Sequence, residues 1–292
     1  MFKGSFVALA TPFRNGAVDY SRLDQLIDFH VREGTAGLSP CGTTGESATL
    51  TTEEHKEVVA FVVKHAAKRI PVMAGTGSNS TQEAVELTVA AAKAGADACL
   101  LISPYYNRPE PEGMFLHFKA IADAAHLPMV LYSIPSRTGR EIAMETVLRL
   151  ADEVKEVVGI KEAGGSLDRV SELCRQTRLD VLSGDDSLTL PMISVGASGV
   201  ISVLANIIPR DVAGIVSSAL AGDMPAALAA HFKMLPLVKA TFLESNPIGI
   251  KTAMGLLRLC AAEMRLPLSP MRPENESKLR QALQNYGLLK KR

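Results

Sequence analysis

The chain has 292 residues, and its 31 lysines and arginines are balanced by 31 aspartates and glutamates. A net charge of zero without blocks of like charge argues against nucleic acid as a partner, because nucleic-acid binding relies on clustered basic residues. No stretch of about 18 apolar residues is present, which argues against a membrane span. The first residues lack a signal-peptide pattern, and the four cysteines form no CxxC pair. We therefore expect a cytoplasmic protein with reduced thiols.

Short apolar runs alternate with amphipathic stretches over residues 1–222. We predict eight strands, which are in chain order Ser5–Ala10, Ala36–Ser39, Pro71–Ala74, Ala98–Ile102, Met129–Tyr132, Val157–Ile160, Val181–Ser183 and Gly199–Val203. The helices that follow them are predicted near residues 20–33, 53–66, 80–94, 111–125, 143–151, 166–176, 186–195 and 209–221. Continuous apolar strands that alternate with helices are typical of a parallel sheet covered by helices.

Eight such units favour closure into a (β/α)8 TIM barrel. The alternative, an open doubly wound sheet, should carry a glycine-rich dinucleotide motif after its first strand, but the sequence there is Thr11-Pro12-Phe13-Arg14. After residue 222 no further strand is predicted, and helices are expected at 223–240, 247–261 and 274–288. The sequence therefore predicts a catalytic (β/α)8 barrel over 1–222 and a C-terminal three-helix appendage over 223–292.

One lysine stands at the end of the sixth predicted strand, where barrel enzymes carry catalytic groups. Lys161 follows the apolar run 157–160. Burial there would disfavour the ammonium form and lower the pKa of the amine, and a neutral amine is what attack on a ketone requires. The alternative is a structural lysine that pairs with a carboxylate such as Glu162 or Asp185.

Three of the five tyrosines, Tyr105, Tyr106 and Tyr132, fall at or beyond predicted strand ends on the same rim. A phenol beside a hydroxyl and a forming imine can relay protons, and Thr43 could supply that hydroxyl. The alternative for each tyrosine is an aromatic side chain that only fills the core.

Two further features of the rim suit a carboxylate ligand. Arg137 follows the fifth strand, where a guanidinium could bind a carboxylate in bidentate fashion, and the alternative is a surface arginine. The backbone N–H groups of the turn at 42–45 could cradle an anion, and the alternative is an ordinary glycine turn. The six histidines form no HExxH or HxH pattern, so no metal site is expected, and neither a Walker loop nor a GxSxG motif occurs.

Eight segments, taken in order, carry a resemblance to a known family. They are GTTGESATL (42–50), AGTGSNST (74–81), SPYYNRP (103–109), LYSIPSRTG (131–139), GIKEA (159–163), LSGDD (182–186), GVISVLAN (199–206) and ESNPIGIK (244–251). Over nearly its whole length the chain resembles the pyruvate-dependent class I aldolase family of dihydrodipicolinate synthase and N-acetylneuraminate lyase. It is most similar to the dihydrodipicolinate synthase branch. Each segment alone is weak, but the ordered set is specific.

The resemblance implies a catalytic role for four residues. Lys161 matches the lysine that forms a Schiff base with pyruvate. Tyr132 matches the proton-relay tyrosine, which is hydrogen-bonded to the threonine matched by Thr43. Tyr106 matches a tyrosine that reaches the active site of the adjacent subunit and completes the relay.

The resemblance also implies a set of substrate-binding residues. Thr44, together with Thr43, matches the site for the pyruvate carboxylate. Arg137 matches the arginine at the entrance that binds the carboxylate of aspartate semialdehyde. Gly184 and Ile201 match positions whose backbone lies near the imine.

The implied reaction condenses pyruvate with L-aspartate 4-semialdehyde to 4-hydroxy-tetrahydrodipicolinate, on the route to diaminopimelate and lysine. No metal or organic cofactor is implied, because the lysine itself is the electron sink. Family members are typically homotetramers built as dimers of tight dimers, and many are inhibited by L-lysine at the dimer interface. The residues that match the inhibitor site are Ser47, Ala48, His55, Asn79, Glu83 and Tyr105.

Three positions depart from the family pattern. Thr52 stands where some feedback-sensitive members carry histidine, which leaves the strength of lysine inhibition open. Ser133 follows the relay tyrosine where asparagine is common, and Gly249 replaces the second proline of the usual NPIP. The last two touch no implied catalytic role and are interpreted as variation.

Three other functions are alternatives to that of a synthase. A sister aldolase or lyase would act on a sugar acid such as N-acetylneuraminate or a 2-keto-3-deoxy acid, but those enzymes generally lack a match to Arg137 in SRTG. A barrel that has lost catalysis would not need the intact set of matched residues. A phosphate-binding isomerase should carry a glycine-rich phosphate loop after strands seven and eight, whereas Gly184-Asp185-Asp186 is acidic.

Overall fold

The computed structural model describes residues 2–290. It contains the predicted eight-stranded sheet. The eight strands are Gly4–Ala8, Gly37–Ser39, Met73–Gly75, Ala98–Ile102, Met129–Ser133, Val157–Glu162, Asp180–Ser183 and Gly199–Ser202. All are parallel, and the first pairs with both the second and the eighth. A parallel bridge between Leu38 and Val72 joins the second and third strands and closes the ring. The predicted (β/α)8 TIM barrel is confirmed.

Eight helices cover the outside of the barrel. They are Tyr20–Arg32, Thr52–Ala66, Thr81–Ala94, Pro111–Ala125, Met144–Glu153, Leu167–Gln176, Thr189–Ser194 and Pro209–Leu220. Local sequence explains several of their first turns. Thr51 and Glu54 form a reciprocal capping box, and the side chains of Ser80 and Ser166 each accept a hydrogen bond from a first-turn N–H group.

The barrel interior forms a small core of its own, separate from the larger core between sheet and helices. Its members include Phe6, Leu100, Tyr132 and Ile201. Phe6 packs so closely on the second strand that a Cβ atom at Gly37 would lie 2.2 Å from its ring.

The C-terminal appendage consists of the helices Met224–Thr241, Ile248–Leu256 and Pro273–Tyr286. The second is shorter than the predicted 247–261. The chain reverses after it, since Arg258 adopts the left-handed conformation and Gly255 packs so closely on Ala262 that a Cβ atom would lie 2.7 Å from the Ala262 Cβ. The division of the chain at residue 222 stays a prediction, and its outer limits at residues 1 and 292 lie outside the described residues.

Three smaller elements differ from the prediction. A hairpin pairs Phe13–Arg14 with Ala17–Val18 across Asn15-Gly16, whose positive φ values suit the turn of a two-residue hairpin. The predicted helix at 186–195 is divided into a 3-10 turn and a short helix that starts at Thr189, because the Asp185 side chain caps the turn first. A four-residue helix, Pro135–Thr138, follows the fifth strand. Within residues 2–290 no helix is both long and apolar enough to cross a membrane.

Candidate active site

A cavity of about 470 Å³ opens where the barrel strands end. The barrel contributes most of its wall, including Ala8, Ser39, Thr43, Thr44, Tyr132, Arg137, Lys161, Gly184 and Asp185. The C-terminal appendage contributes the remaining side through Leu235, Val238, Lys239, Phe242 and Asn246. No residue of the appendage was predicted to belong to the site.

Lys161 is only 5% exposed at the end of the sixth strand, although its side chain lines the cavity. Its Nζ lies 4.2 Å from the centroid of the Tyr132 ring. Burial lowers the pKa of this amine from 10.5 to about 8; the nearby Asp186 charge opposes the shift, and the Arg137 charge adds to it. A substantial fraction of the amine is therefore neutral near physiological pH.

The carboxylates considered as partners of Lys161 are engaged elsewhere. Glu162 is on the opposite face of the strand, where its Oε2 accepts a hydrogen bond from the Arg169 Nε at 2.8 Å. The Asp185 Oδ1 accepts from the Ser187 N–H at 2.8 Å. The alternative of an ion pair between Lys161 and either carboxylate is therefore wrong, because strand alternation and local capping direct both groups away.

Asp186 is the acidic group that acts on Lys161 electrostatically, and the sequence analysis missed it. Its carboxylate is buried and accepts hydrogen bonds from the Val203 and Leu204 N–H groups at 2.9 and 3.1 Å. Burial raises the pKa of this carboxyl, and the bonds it accepts counter that shift. Within residues 2–290 no group of three His, Cys, Asp or Glu side chains is placed to hold a metal ion.

Tyr132 and Lys161 are partners in the register of the fifth and sixth strands. Burial raises the pKa of the Tyr132 phenol from 10 to about 12, and the nearby Arg137 charge and Thr43 hydroxyl oppose this shift. The phenol therefore keeps its proton at neutral pH. A protonated phenol, a threonine hydroxyl and a partly neutral amine are thus assembled on one wall of the cavity.

Asn246 connects two of the predicted substrate-binding residues. Its side-chain Nδ2 donates to the Thr44 Oγ1 at 3.0 Å. Its backbone carbonyl oxygen accepts from the Arg137 Nη2, also at 3.0 Å. Asn246 lies in the segment ESNPIGIK, for which the resemblance implies no role. Its contact with Thr44 joins residues 202 positions apart, which local sequence patterns do not reveal.

Gly184 and Ile201 have different surroundings. A Cβ atom at Gly184 would lie 2.6 Å from the Ala163 Cβ and 3.1 Å from the Lys161 Cε, so the absence of a side chain makes room for the lysine stem. Ile201 is 1% exposed within the inner core, and among the described residues it is not part of the cavity wall.

Tyr106 does not line the cavity of its own chain. Its side chain is 91% exposed, and its backbone adopts φ of 70°, which is uncommon for a residue with a side chain. The structure thus separates Tyr106 from the other three residues predicted to be catalytic.

A second cavity of about 350 Å³ adjoins the first, with Thr43, Tyr132 and Arg137 in both walls. Five of the six residues that matched the lysine-inhibitor site line it, namely Ser47, Ala48, His55, Glu83 and Tyr105. The sixth, Asn79, is adjacent, since its Nδ2 donates to the Tyr105 carbonyl oxygen at 3.2 Å. Thr52 also contributes to the wall.

The sequence model of the dihydrodipicolinate synthetase family matches residues 1–286 of this chain. The chain belongs to that family. One relative, the 4-hydroxy-tetrahydrodipicolinate synthase of Geotalea uraniireducens, is 53% identical over 292 residues, which cover 99% of this chain and 100% of the relative.

Solved structures of the dihydrodipicolinate synthetase family agree closely with the fold. The synthase of Aquifex aeolicus superposes with a TM-score of 0.98 at 50% identity, with 99% of this chain and 100% of that chain covered. A chloride-inhibited synthase from Acinetobacter baumannii, complexed with pyruvate, has a TM-score of 0.96 at 42% identity (99% and 100% covered). A synthase from Cyanidioschyzon merolae with lysine bound also has a TM-score of 0.96, at 40% identity (99% of both chains covered).

Two of the departures from the family pattern now have a structural setting. Ser133 is fully buried, and its hydroxyl has no hydrogen-bond partner among the described residues. Gly249 packs against the preceding helix so closely that a Cβ atom would lie 1.9 Å from the Thr241 carbonyl oxygen. Proline at position 249 would therefore require this chain to separate the two segments.

Proposed function

We propose that this protein is a 4-hydroxy-tetrahydrodipicolinate synthase, which condenses pyruvate with L-aspartate 4-semialdehyde through a Schiff base on Lys161. The observation that carries this proposal is the buried Lys161 amine, whose pKa is lowered to about 8, beside Tyr132 in an open cavity. The names of the full-length relatives support the same activity. The product would enter diaminopimelate and lysine biosynthesis in the cytoplasm.

The chemistry begins with the neutral amine. The Lys161 Nζ adds to the ketone carbon of pyruvate, and the resulting carbinolamine loses water to give the imine. The imine methyl group then loses a proton to give an enamine, whose carbon attacks the aldehyde of aspartate semialdehyde. The amino group of that substrate finally displaces Lys161 as the ring closes, which releases the product and restores the free amine.

Tyr132 and Thr43 are proposed to move the protons in these steps. A phenol with a pKa of about 12 is protonated at neutral pH and can donate to the departing hydroxyl of the carbinolamine. The nearby Thr43 hydroxyl would offer a path by which the proton is replaced. Tyr106 of a second subunit would complete the relay.

The substrate carboxylates are assigned to two places in the cavity. Thr43 and Thr44, on the turn after the second strand, would hold the pyruvate carboxylate, and Gly184 leaves room for the imine. Arg137, at the mouth, would bind the carboxylate of aspartate semialdehyde. Its guanidinium donates to the Asn246 carbonyl oxygen and retains other N–H groups for a ligand. Ile201 would act through its backbone rather than its buried side chain.

Tyr106 supports an oligomer in which neighbouring subunits complete each other's sites. A phenol that is 91% exposed, on backbone of an unfavourable conformation, is costly unless another surface uses it. We propose the homotetramer that the resemblance implies, a dimer of tight dimers, with Tyr106 exchanged across the tight interface.

The second cavity is proposed to bind L-lysine as an inhibitor. It combines an acidic group, Glu83, with the hydroxyls of Ser47 and Thr52, a set that suits a ligand with an ammonium group. It also shares Thr43, Tyr132 and Arg137 with the first cavity, so a ligand there could alter the proposed relay. The lysine-bound relative supports the ligand class.

A substrate comparison tests the proposed function. With pyruvate and aspartate semialdehyde the protein should form the cyclic product, whereas N-acetylneuraminate and 2-keto-3-deoxy acids should not be cleaved at a comparable rate. An Arg137→Ala variant should raise the KM for aspartate semialdehyde and leave that for pyruvate nearly unchanged. Preferential cleavage of a sugar acid would instead favour the sister lyase.

A further inference from the structure

A buried ion pair lies directly behind the turn that carries Thr43 and Thr44. The Lys251 Nζ donates to the Glu46 Oε1, and both side chains are 0% exposed. Lys251 comes from the C-terminal helix Ile248–Leu256, and Glu46 ends the turn after the second strand. The pair joins residues 205 positions apart and connects the appendage to the barrel rim.

The other hydrogen bonds of these two side chains also connect the barrel loops with the C-terminal appendage. The Lys251 Nζ donates to the Thr11 carbonyl oxygen at 2.9 Å, and the Glu46 Oε2 accepts from the Arg265 N–H at 3.0 Å. The Thr11 hydroxyl in turn donates to the Gly45 carbonyl oxygen at 2.7 Å. The Lys251 Nζ also lies 4.2 Å from the centroid of the Phe13 ring. The loop after the first strand, the turn after the second strand and the C-terminal appendage therefore share one network of hydrogen bonds.

The backbone of the turn that ends at Glu46 depends on contacts from outside the turn. Glu46 adopts φ of 54°, a left-handed conformation that is uncommon for a residue with a side chain. On its N-terminal side the turn is held by long hydrogen bonds, with the Glu46 N–H 3.2 Å from the Thr43 carbonyl oxygen and the Ser47 N–H 3.3 Å from that of Gly42. On the other side the Glu46 carbonyl oxygen accepts from the Thr49 N–H at 3.0 Å. The strained turn would relax if the Glu46 side chain lost its partners.

The cost of burying two charges makes a purely stabilising role a poor explanation. Removal from water offsets much of the attraction within a buried ion pair, so an apolar or neutral replacement of similar volume is often no less stable. What the pair does supply is a single geometry, because each charge must meet its partner and its remaining hydrogen bonds at once. That geometry determines where Thr43 and Thr44 face the cavity.

We propose that Glu46 and Lys251 are positioning residues for the keto-acid carboxylate, through which the C-terminal appendage holds the Thr43–Thr44 turn in its binding geometry. Neither residue lines either of the two cavities. Their effect reaches the substrate through the turn, whose far side, Ser47 and Ala48, lines the second cavity. This inference rests on the proposed function, since it concerns the binding of the keto acid.

The test separates stability from binding. Lys251→Met leaves the Glu46 carboxylate buried without its cation, so it should lower the unfolding temperature and raise the KM for pyruvate about ten-fold. The double variant Glu46→Gln with Lys251→Met removes both charges, so it should recover much of the lost unfolding temperature. It should not recover the KM for pyruvate, because a glutamine and a methionine no longer fix the turn. The KM for aspartate semialdehyde should change far less.

Leu279→Ala supplies the matched control. Leu279 is fully buried in the C-terminal helix Pro273–Tyr286, so its truncation destabilises the same appendage without touching the turn. It should lower the unfolding temperature and leave the KM for pyruvate unchanged. An equal rise in KM for Leu279→Ala, or a double variant in which stability and KM recover together, would overturn the positioning role. If Lys251→Met does not fold, the double variant and Glu46→Gln still decide the question.

The proposed function can fail separately from this inference. Pyruvate-dependent borohydride labelling of Lys161 in the unaltered protein tests the function alone. If labelling succeeds and the double variant binds pyruvate normally, only the positioning role is lost. If labelling fails, the function itself is wrong.

Discussion

The Lys161 Nζ lies 4.2 Å from the centroid of the Tyr132 ring, and the two residues are register partners on adjacent strands. Parallel pairing and the alternation of side chains along a strand place both residues inside the barrel at the same height. Burial then moves their pKa values apart, to about 8 for the amine and about 12 for the phenol. Near neutral pH the pair therefore combines a nucleophile that is partly neutral with an acid that is fully protonated.

The stability of the protein should depend on the Lys161 charge. The pKa of Lys161 is about 8 in the folded state against an ordinary 10.5, so the unfolded state binds more protons between these values. Stability from this group is present above pH 10.5, falls as the pH is lowered, and reaches its minimum below about pH 8. Lys161→Met should therefore raise the unfolding temperature at pH 7, and the gain should shrink towards pH 10.5. Thermal unfolding over this pH range measures the difference.

Tyr132→Phe should slow the reaction without abolishing pyruvate binding. The substitution keeps the ring beside Lys161 and removes only the hydroxyl near Thr43. General acid–base groups contribute about 10²- to 10⁴-fold, so kcat should fall within that range. Thr43→Val should show a smaller loss in the same parameter. Steady-state kinetics with both substrates provides the comparison, and a kcat within two-fold of the original would exclude Tyr132 from the relay.

Gly184→Ala should impair Schiff-base formation. The new Cβ atom would lie 2.6 Å from the Ala163 Cβ and 3.1 Å from the Lys161 Cε, so the lysine stem or its neighbour must shift. A displacement of this order at a reacting group can cost about 100-fold. Gly214→Ala is the matched control, because it lies in a helix with open space around its Cα and should stabilise by about 0.5–1 kcal/mol. Unimpaired labelling of Gly184→Ala would show that the site tolerates the methyl group.

Hybrid oligomers should reveal whether Tyr106 acts across an interface. Tyr106→Phe and Lys161→Met should each be nearly inactive alone. In a mixed dimer, the subunit that keeps Lys161 receives Tyr106 from its partner, so one of the two sites is intact. Random reassembly of equal amounts should restore about a quarter of the original activity. No recovery, in a mixture shown by mass spectrometry to contain hybrids, would mean that Tyr106 does not serve a neighbouring site.

Much of the fold followed from the sequence because strand and helix periods are local properties. All eight strands lie within two residues of their predicted positions, and the family is the one that the ordered motifs indicated. The hairpin at 13–18 was missed even though Asn15-Gly16 is a strong turn signal, because its strands are only two residues long. The short helix that contains Arg137 was also missed, since four residues are too few to show a helical period.

The site was less predictable where it depends on distant contacts. Lys161, Tyr132 and Thr43 could be placed near one another, because strand ends meet on one rim of a barrel. Asn246, Asp186 and Lys251 could not, since their roles depend on which segment packs against which after the barrel has closed. The contact of Asn246 with Thr44 and that of Lys251 with Glu46 each join residues more than 200 positions apart. No periodicity or spacing encodes such pairs.

Reduction with borohydride in the presence of pyruvate, followed by mass mapping of the peptides, tests the central claim most directly. Lys239 also lines the cavity and serves as an internal comparison, so the unaltered protein is measured beside Lys161→Arg and Lys239→Arg. The predicted result is one added 1-carboxyethyl group per chain, on Lys161, which requires pyruvate, persists in Lys239→Arg and is lost in Lys161→Arg. A label on Lys239, or one that forms without pyruvate, would contradict the proposed mechanism.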